Sequence, residues 1–270
     1  IICGWANDLI RLSVPDLTPH RIEQDKKQPI LCTVASKTTG YSRSSRDQLI
    51  FEPSKLSTTS RLILRDTRQS TLRTVQDFTV KIAPAGGGQA PKILMFGDSI
   101  IHGSHAPDIL NPILVAQGYA PVWLGTMTTV GGRKSEAHSG IETTDFTARD
   151  LSKYDPVAVG GEAAYLASPS PNGFNPCIRL ATGSDPVGNV FNGYVFDAAF
   201  YQSRFSLATP DVVLIALGTN NIRDRNEPTL STNFYDDMRI MLDSCRAAWP
   251  NAQIQITLTP TAASADRDAL

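Results

Sequence analysis

A short apolar run near the middle of the chain ends in Gly-Asp-Ser. Residues 92–96, Lys-Ile-Leu-Met-Phe, predict a strand buried on both faces, and Gly97, Asp98 and Ser99 follow it directly. Gly97 permits a sharp bend, so we expect Ser99 at the carboxyl end of the strand, where open α/β sheets bind their ligands. A serine at this point can act as a nucleophile in acyl transfer. The alternative is that Ser99 only caps the helix that follows.

Two further segments carry groups that acyl transfer uses. Residues 211–217 predict a second buried strand, which Gly-Thr-Asn-Asn closes at 218–221. Between the two strands, residues 136–144 read Glu-Ala-His-Ser-Gly-Ile-Glu-Thr-Thr. Asn220 offers a neutral amide donor, and Gly140 offers a backbone N–H that no side chain shields, so both suit a developing oxyanion. The alternatives are an asparagine bonded to its own turn and an ordinary loop glycine.

In this order, the three segments resemble the first three sequence blocks of the SGNH, or GDSL-type, hydrolases. The block around His138 is similar to one in several SGNH carbohydrate esterases, and later segments resemble esterases attached to phage-tail proteins. The resemblance covers residues 91–270 and implies a three-layer α/β/α parallel sheet. It also implies Ser99 as nucleophile, and an oxyanion hole formed by the N–H groups of Ser99 and Gly140 with the Asn220 side chain. Asn221 stands where many members carry aspartate.

The chain departs from this family at the catalytic acid and base. Members carry both in an Asp-x-x-His block near the carboxyl end of the domain, and this sequence contains no such block. We therefore expect the base and its aspartate in the remainder of the same polypeptide beyond Leu270, with an inactive domain that lost its base as the alternative. The chain contains four histidines: His20, His102, His105 and His138. Three residues are expected to line the pocket: Asp98, His102 and His138.

Composition argues against several other classes of protein. The net charge of the 270 residues is −1 and no basic run occurs, which argues against electrostatic capture of nucleic acid. No apolar stretch approaches the ~20 residues of a membrane span. The four cysteines match no metal-ligand spacing and are too few for a disulfide framework, although Cys3 and Cys32 could pair. We predict no metal, no cofactor, an acylated glycan or other ester as substrate, and homo-oligomerisation as an open alternative.

Two regions differ in their patterns. Residues 1–84 predict a small β-rich, sandwich-like accessory domain, with strand-like runs at 9–14, 29–35, 48–52, 61–65 and 78–83. Residues 85–91 form a Gly-rich segment that predicts a linker. Residues 92–270 alternate strands with helices and predict an SGNH-like α/β domain, incomplete at its carboxyl end. Its clearest elements are helices at 106–117 and 232–248 and strands at 121–125 and 253–258.

A long segment separates the second and third blocks. Residues 151–205 are rich in Gly, Pro, Asn and Ser and carry aromatic residues that include Tyr165, Phe174, Phe191, Tyr194 and Phe196. Such a segment can wall a substrate site, with its aromatics either stacked on sugar rings or packed onto the core. Together these features predict a serine esterase that removes O-acetyl groups from a polysaccharide, in an extracellular enzyme or a virion tail. The alternative is an inactive SGNH scaffold that binds glycans or serves as a tail adaptor.

Overall fold

The computed structural model describes residues 2–5, 10–13, 30–46, 48–57, 59–67, 73–83, 86–168, 173–224 and 230–257. The chain divides into two compact units, Ile1–Ala85 and Gly86–Leu270. Parallel and antiparallel sheets occur together with seven helices in the described residues, which confirms a mixed α/β chain. Residues 258–270 and His20 lie outside the described residues.

The described part of the first unit consists of seven strands and one 3-10 turn at Pro53–Lys55. The strands are β1 (Ile2–Trp5), β2 (Ile10–Ser13), β3 (Ile30–Ser36), β4 (Ser42–Ser45), β5 (Gln48–Phe51), β6 (Thr59–Asp66) and β7 (Arg73–Ala83). Five of them form one sheet in the order β1-β7-β6-β3-β4, and β2 pairs with β5. All these pairs are antiparallel except β1 with β7. Leu49 and Phe51 pack against Cys32 and Val34, so β5 covers the β3 side of the larger sheet.

The structure does not support a disulfide between Cys3 and Cys32. Cys32 is a buried free thiol, and burial raises its pKa to about 11. Two strands, β7 and β6, lie between β1, which carries Cys3, and β3, which carries Cys32. Three strand spacings separate the two backbones by about 14 Å, whereas a disulfide requires Cα atoms within about 7 Å.

The second unit is built on a largely parallel sheet. Its strands are β8 (Lys92–Gly97), β9 (Val122–Leu124), β10 (Met127–Thr128), β11 (Lys134–Ala137), β12 (Asp155–Pro156), β13 (Phe174–Asn175), β14 (Ile178–Leu180), β15 (Tyr194–Phe196), β16 (Val212–Ala216) and β17 (Gln253–Ile256). The sheet order is β10-β11-β8-β16-β17, with β9 paired to the start of β8. Only β10 runs antiparallel within it. The pairs β12–β13 and β14–β15 form two small separate sheets.

Helices cover both faces of this sheet. They are α1 (Ser99–Gly103), α2 (Ala106–Ala116), α3 (Thr143–Phe146), α4 (Glu162–Ala167), α5 (Ala198–Arg204), α6 (Thr219–Asp224) and α7 (Leu230–Ala248). Ile93 and Met95 of β8 pack on one side with Leu110 and Leu114 of α2. Leu94 and Phe96, which alternate with them, pack on the other side with residues of α5 and α7. Alternate residues of β8 are therefore buried under different helices, as its continuous apolar run predicts.

The Gly-rich segment is fixed to the end of α2. The helix ends at Ala116, and Gly118, two residues later, adopts φ +84° and donates its N–H to Val115 O at 2.9 Å. Gly86 donates to Gln117 O and Gly88 to Gly118 O, each at 2.7 Å. A Cβ on Gly86 would lie 2.5 Å from the Gly118 carbonyl carbon, so the close approach requires glycine. The described part of the predicted linker thus belongs to the second unit.

Candidate active site

Three neighbouring strands of the second unit end at the same edge of the sheet. Ala137 of β11 and Ala216 of β16 both lie opposite Gly97 of β8. The N–H of His138 extends this register by donating to Gly97 O at 3.1 Å. Since neighbouring strands are about 4.8 Å apart, the segments that follow these three residues start close together. Those segments carry Ser99, Gly140 and Asn220.

Ser99 is the first residue of α1 and does not cap it. Asp98 is the N-cap, and its carboxylate accepts the N–H of Ile100 at 2.8 Å. Asp98 is therefore buried and caps α1, and its place in the lining of the site stays a prediction. The Ser99 N–H has no intrahelical acceptor because it lies in the first turn. Among the described residues, no side chain hydrogen-bonds to the half-buried Ser99 hydroxyl.

Gly140 forms the tip of a turn that directly follows β11. Its φ of +89° lies in the left-handed region that favours glycine. The turn closes with Ile141 N donating to His138 O at 3.4 Å. A Cβ on Gly140 would have only the Tyr154 hydroxyl within 4 Å, at 3.9 Å, so the space above the turn is open. Within the described residues, the Gly140 N–H donates to no protein acceptor and is available to a ligand.

Asn220 connects the third sequence block to this turn. It lies in the first turn of α6, is 1% exposed, and donates from Nδ2 to Ile141 O at 2.9 Å. The amide nitrogen carries a second N–H, while the buried Oδ1 has no partner. The next residue, Asn221, exchanges hydrogen bonds with Thr143 at 3.2 Å and 3.1 Å. Asn221 thus supports the loop.

His138 is held by a buried glutamate that the sequence analysis did not single out. Glu136 and His138 are two apart on an extended backbone, so their side chains share one face. The His138 Nε2 lies 2.7 Å from Glu136 Oε1, and both residues are 0% exposed. The other oxygen of Glu136 accepts from the Thr126 N–H at 3.0 Å, from its hydroxyl at 2.6 Å, and from the Tyr201 hydroxyl. Because its Nε2 is bonded to Glu136, His138 is part of the support beneath the turn.

His102 lies at the same edge as Ser99 and Gly140. Burial lowers its pKa, and the neighbouring His138 and His105 act in the same direction. A hydrogen bond to the Ala137 backbone opposes this shift and places the ring against the end of β11. His102 therefore lies beside the end of β11, and its place in the lining of the site stays a prediction. His105, in contrast, is the N-cap residue of α2 with a left-handed φ of +51°, and its side chain makes no capping hydrogen bond.

A pair of buried carboxyl groups follows the Gly140 turn. Glu142 and Asp145 form a reciprocal capping box on α3, in which Asp145 Oδ2 accepts the Glu142 N–H at 2.7 Å. Burial raises the pKa of Asp145 to about 7, with the Glu142 charge adding to the shift. Lys153 forms an ion pair with Glu142, with Nζ 2.7 Å from Oε1. Tyr154 donates to Ser139 O at 2.6 Å, so it holds the residue before Gly140.

The segment 151–205 is packed into the unit. Tyr165 and Phe196 are 5% and 2% exposed, and Phe196 lies edge-on to Phe96 of β8 with ring centroids 6.0 Å apart. Burial also raises the pKa of the Tyr165 hydroxyl, which bonds to Thr126 at 2.9 Å. Phe174, in contrast, is 41% exposed. Tyr165 and Phe196 thus fasten this segment to the core.

The described residues contain no cluster of three or more metal-ligating side chains, and no helix among them has the length and apolar character needed to cross a bilayer. No protein-family model and no curated protein matches the chain.

Two solved structures of a family two carbohydrate esterase from Clostridium thermocellum resemble the chain. The structure in complex with cellohexaose gives a TM-score of 0.34, and that of an active-site mutant gives 0.32. Both are 14% identical, and the match covers 99% of this chain and 75% of the esterase. TM-scores this low do not establish a shared fold, so the function proposed below rests on the site itself.

Proposed function

We propose that this chain carries the nucleophile and oxyanion hole of an SGNH-type serine esterase. The observation that carries the proposal is the common register of the three strand ends at Ala137, Gly97 and Ala216. That register brings together three sequence blocks that are far apart in the chain. The helices on both faces of the sheet fit the three-layer α/β/α arrangement of that family.

The proposed chemistry is acyl transfer in two steps. Ser99 Oγ attacks the ester carbonyl, loses its proton to a base, and forms a tetrahedral intermediate that expels the alcohol. Water then attacks the acyl-enzyme and releases the carboxylic acid and free Ser99. The N–H groups of Ser99 and Gly140 and the Nδ2 of Asn220 stabilise the oxyanion in both steps. Neutral, preorganised donors serve this role because they require no proton transfer and little reorganisation.

The base is proposed to be a histidine beyond Leu270, oriented by an aspartate. Within the described residues, His138 cannot take this role because its Nε2 is bonded to Glu136 and the residue is fully buried. The second candidate function is a glycan-binding or tail-adaptor scaffold without chemistry, and it is kept because no histidine of the described residues is hydrogen-bonded to the Ser99 hydroxyl.

The proposed substrate is an O-acetylated polysaccharide, and the proposed location is outside the cell or on a virion tail. This part of the proposal rests on the family resemblance and on the polar character of residues 151–205. It is tested by comparing release of acetate from acetylated glycans with hydrolysis of long-chain lipid esters. A preference for long acyl chains would contradict it.

The direct test compares the wild-type full-length protein with Ser99→Ala in hydrolysis of p-nitrophenyl acetate. We expect the variant to lose turnover while keeping its circular dichroism spectrum, because removing one hydroxyl from a half-buried helix start leaves the fold intact. Equal rates in the two proteins would reject the esterase and favour the binding scaffold.

A further inference from the structure

The residues that follow Gly140 form a closely held block. Residues 141–148 are all buried, and with Arg149 they are called the α3 segment here. On the α6 side, the Asn220 amide nitrogen donates to Ile141 O. The Asn221 side chain accepts the Thr143 N–H and donates to the Thr143 hydroxyl. Because Gly140 is joined directly to this block, a movement of the block moves the Gly140 N–H.

A carboxylate on α7 binds the same segment from a distant part of the chain. Asp237 is 0% exposed, and its Oδ1 accepts from the Thr147 hydroxyl at 2.9 Å and from Arg149 Nε at 3.0 Å. Its Oδ2 accepts from the Thr143 hydroxyl at 3.4 Å. These donors all belong to the α3 segment. A buried carboxylate is costly unless its charge is compensated, so these contacts fix α7 and the segment together.

Residues 173–196 hold the opposite side. The Asn175 amide nitrogen donates to Asp145 O at 2.8 Å and to Phe146 O at 3.2 Å, at the end of α3. The Asn192 amide nitrogen donates to Ala148 O at 2.9 Å. Arg149, the partner of Asp237, also lies over the Phe191 ring at 3.9 Å from its centroid. The Asp237–Arg149 pair therefore joins α7, the α3 segment and the 173–196 region.

We infer that Asp237 is a positioning residue that fixes the α3 segment and through it the direction of the Gly140 N–H. The inference rests on the oxyanion role proposed for Gly140. Asp237 touches no reacting atom; it acts only through the segment. Since a displacement of about 1 Å in a catalytic group can cost about 10²-fold in rate, a small shift of this block is sufficient to impair turnover.

The test replaces Asp237 by asparagine, which keeps its shape and removes its charge. We expect kcat for p-nitrophenyl acetate to fall by roughly 10- to 100-fold with KM changed less than about 2-fold, because the lost interaction acts on the transition state. Amide hydrogen exchange of residues 140–149 should become faster in the same variant. Thr147→Val, which removes one hydroxyl donor to Asp237, should move both quantities in the same direction, and Thr147→Ser should retain more activity than Thr147→Val.

Asp243→Asn is the matched control on the same helix. Asp243 lies on the surface of α7, paired with Arg239 at 3.2 Å, and its change should leave kcat and exchange at wild-type values. The inference would be overturned if Asp237→Asn kept the wild-type kcat and the wild-type rate of amide hydrogen exchange. It would also be overturned if the loss of kcat only matched the loss of folded protein measured by circular dichroism. If hydrolysis does not depend on Ser99, the proposed function fails, and the exchange of residues 140–149 still decides whether Asp237 positions the segment.

Discussion

Glu136 offers the sharpest test of how the turn before Gly140 is supported. Its carboxylate is fully buried and is within hydrogen-bond reach of four groups: the Thr126 N–H, the Thr126 hydroxyl, the Tyr201 hydroxyl and His138 Nε2. Glu136→Ala would leave three of these groups without their acceptor in the interior, whereas the Thr126 hydroxyl keeps the Tyr165 hydroxyl at 2.9 Å as a partner. Each buried donor that loses its partner costs about 1–3 kcal/mol, so the summed loss is on the order of 3–9 kcal/mol. That range is comparable to the total stability of a typical domain.

Glu136→Gln is expected to behave differently. Its amide oxygen can take the position of Oε2 and keep the Thr126 and Tyr201 donors. Its NH₂ group then faces His138, whose Nε2 can accept this bond if the ring proton moves to Nδ1. The Nδ1 atom is buried and has no partner among the described residues, so a proton there costs about 1–3 kcal/mol. Hydrogen bonds to a charged acceptor exceed neutral ones by about 1–1.5 kcal/mol each. Removal of a buried charge offsets part of that loss, so we expect a net cost of about 2–4 kcal/mol.

Urea unfolding followed by circular dichroism measures both variants. Glu136→Gln should fold with a lowered midpoint and an unchanged m-value, whereas Glu136→Ala should be unfolded or close to it. Nitrogen chemical shifts of the His138 ring should report the proton on Nε2 in the wild type and on Nδ1 in Glu136→Gln. Equal stability of the alanine and glutamine variants, or an unchanged tautomer in a folded glutamine variant, would refute this account of the network.

Two further predictions concern the same edge of the sheet. Asp145 has its pKa raised by burial to about 7, so between its usual pKa of 3.8 and about 7 its proton is bound in the folded state and released in the unfolded state. The contribution of Asp145 to stability is therefore fully present below the unfolded pKa and is lost as the pH rises through about 7. Asp145→Asn should flatten that part of the pH–stability curve, as measured by urea unfolding. An unchanged curve would contradict the burial argument. Asn220→Ala should lower kcat by about 10²–10³-fold because an oxyanion donor and the bond to Ile141 O are both lost. Asn111→Ala is the control, because it removes the acceptor of the Trp123 indole N–H, a hydrogen bond of 3.0 Å that lies far from the carboxyl ends of the strands. Equal kcat in both variants would exclude Asn220 from the oxyanion hole.

Local sequence patterns determined the elements that position the site. The apolar runs before Gly97 and Gly218 predict β8 and β16 because a strand covered on both faces must be apolar at consecutive residues. The spacing of Met238, Met241 and Cys245 likewise predicts the buried face of α7, and those three side chains are at most 6% exposed. The left-handed conformations of Gly118 and Gly140 follow from the low cost of positive φ at glycine.

The sequence pattern alone does not determine which residue caps α1 or how residues 151–205 pack. The tertiary structure decides both. Gly-Asp-Ser fits a serine cap as well as an aspartate cap, and the observed bond from Ile100 N selects Asp98. Residues 151–205 carry the composition of a surface loop, yet Asn175, Cys177 and Ile178 are at most 1% exposed. Polar side chains such as Asn175 can be buried there because the backbone of the α3 segment satisfies their donors.

The sequence by itself thus determined which residues could act and which strands they follow. Only the tertiary structure decided what holds them in place. The hydrogen bonds between Asn220 and Ile141, between Asn221 and Thr143 and between Asp237 and Thr147 span 79, 78 and 90 residues. Such contacts depend on the order and register of strands in the sheet, and a local pattern carries information about period and turn chemistry but none about which distant strand becomes a neighbour.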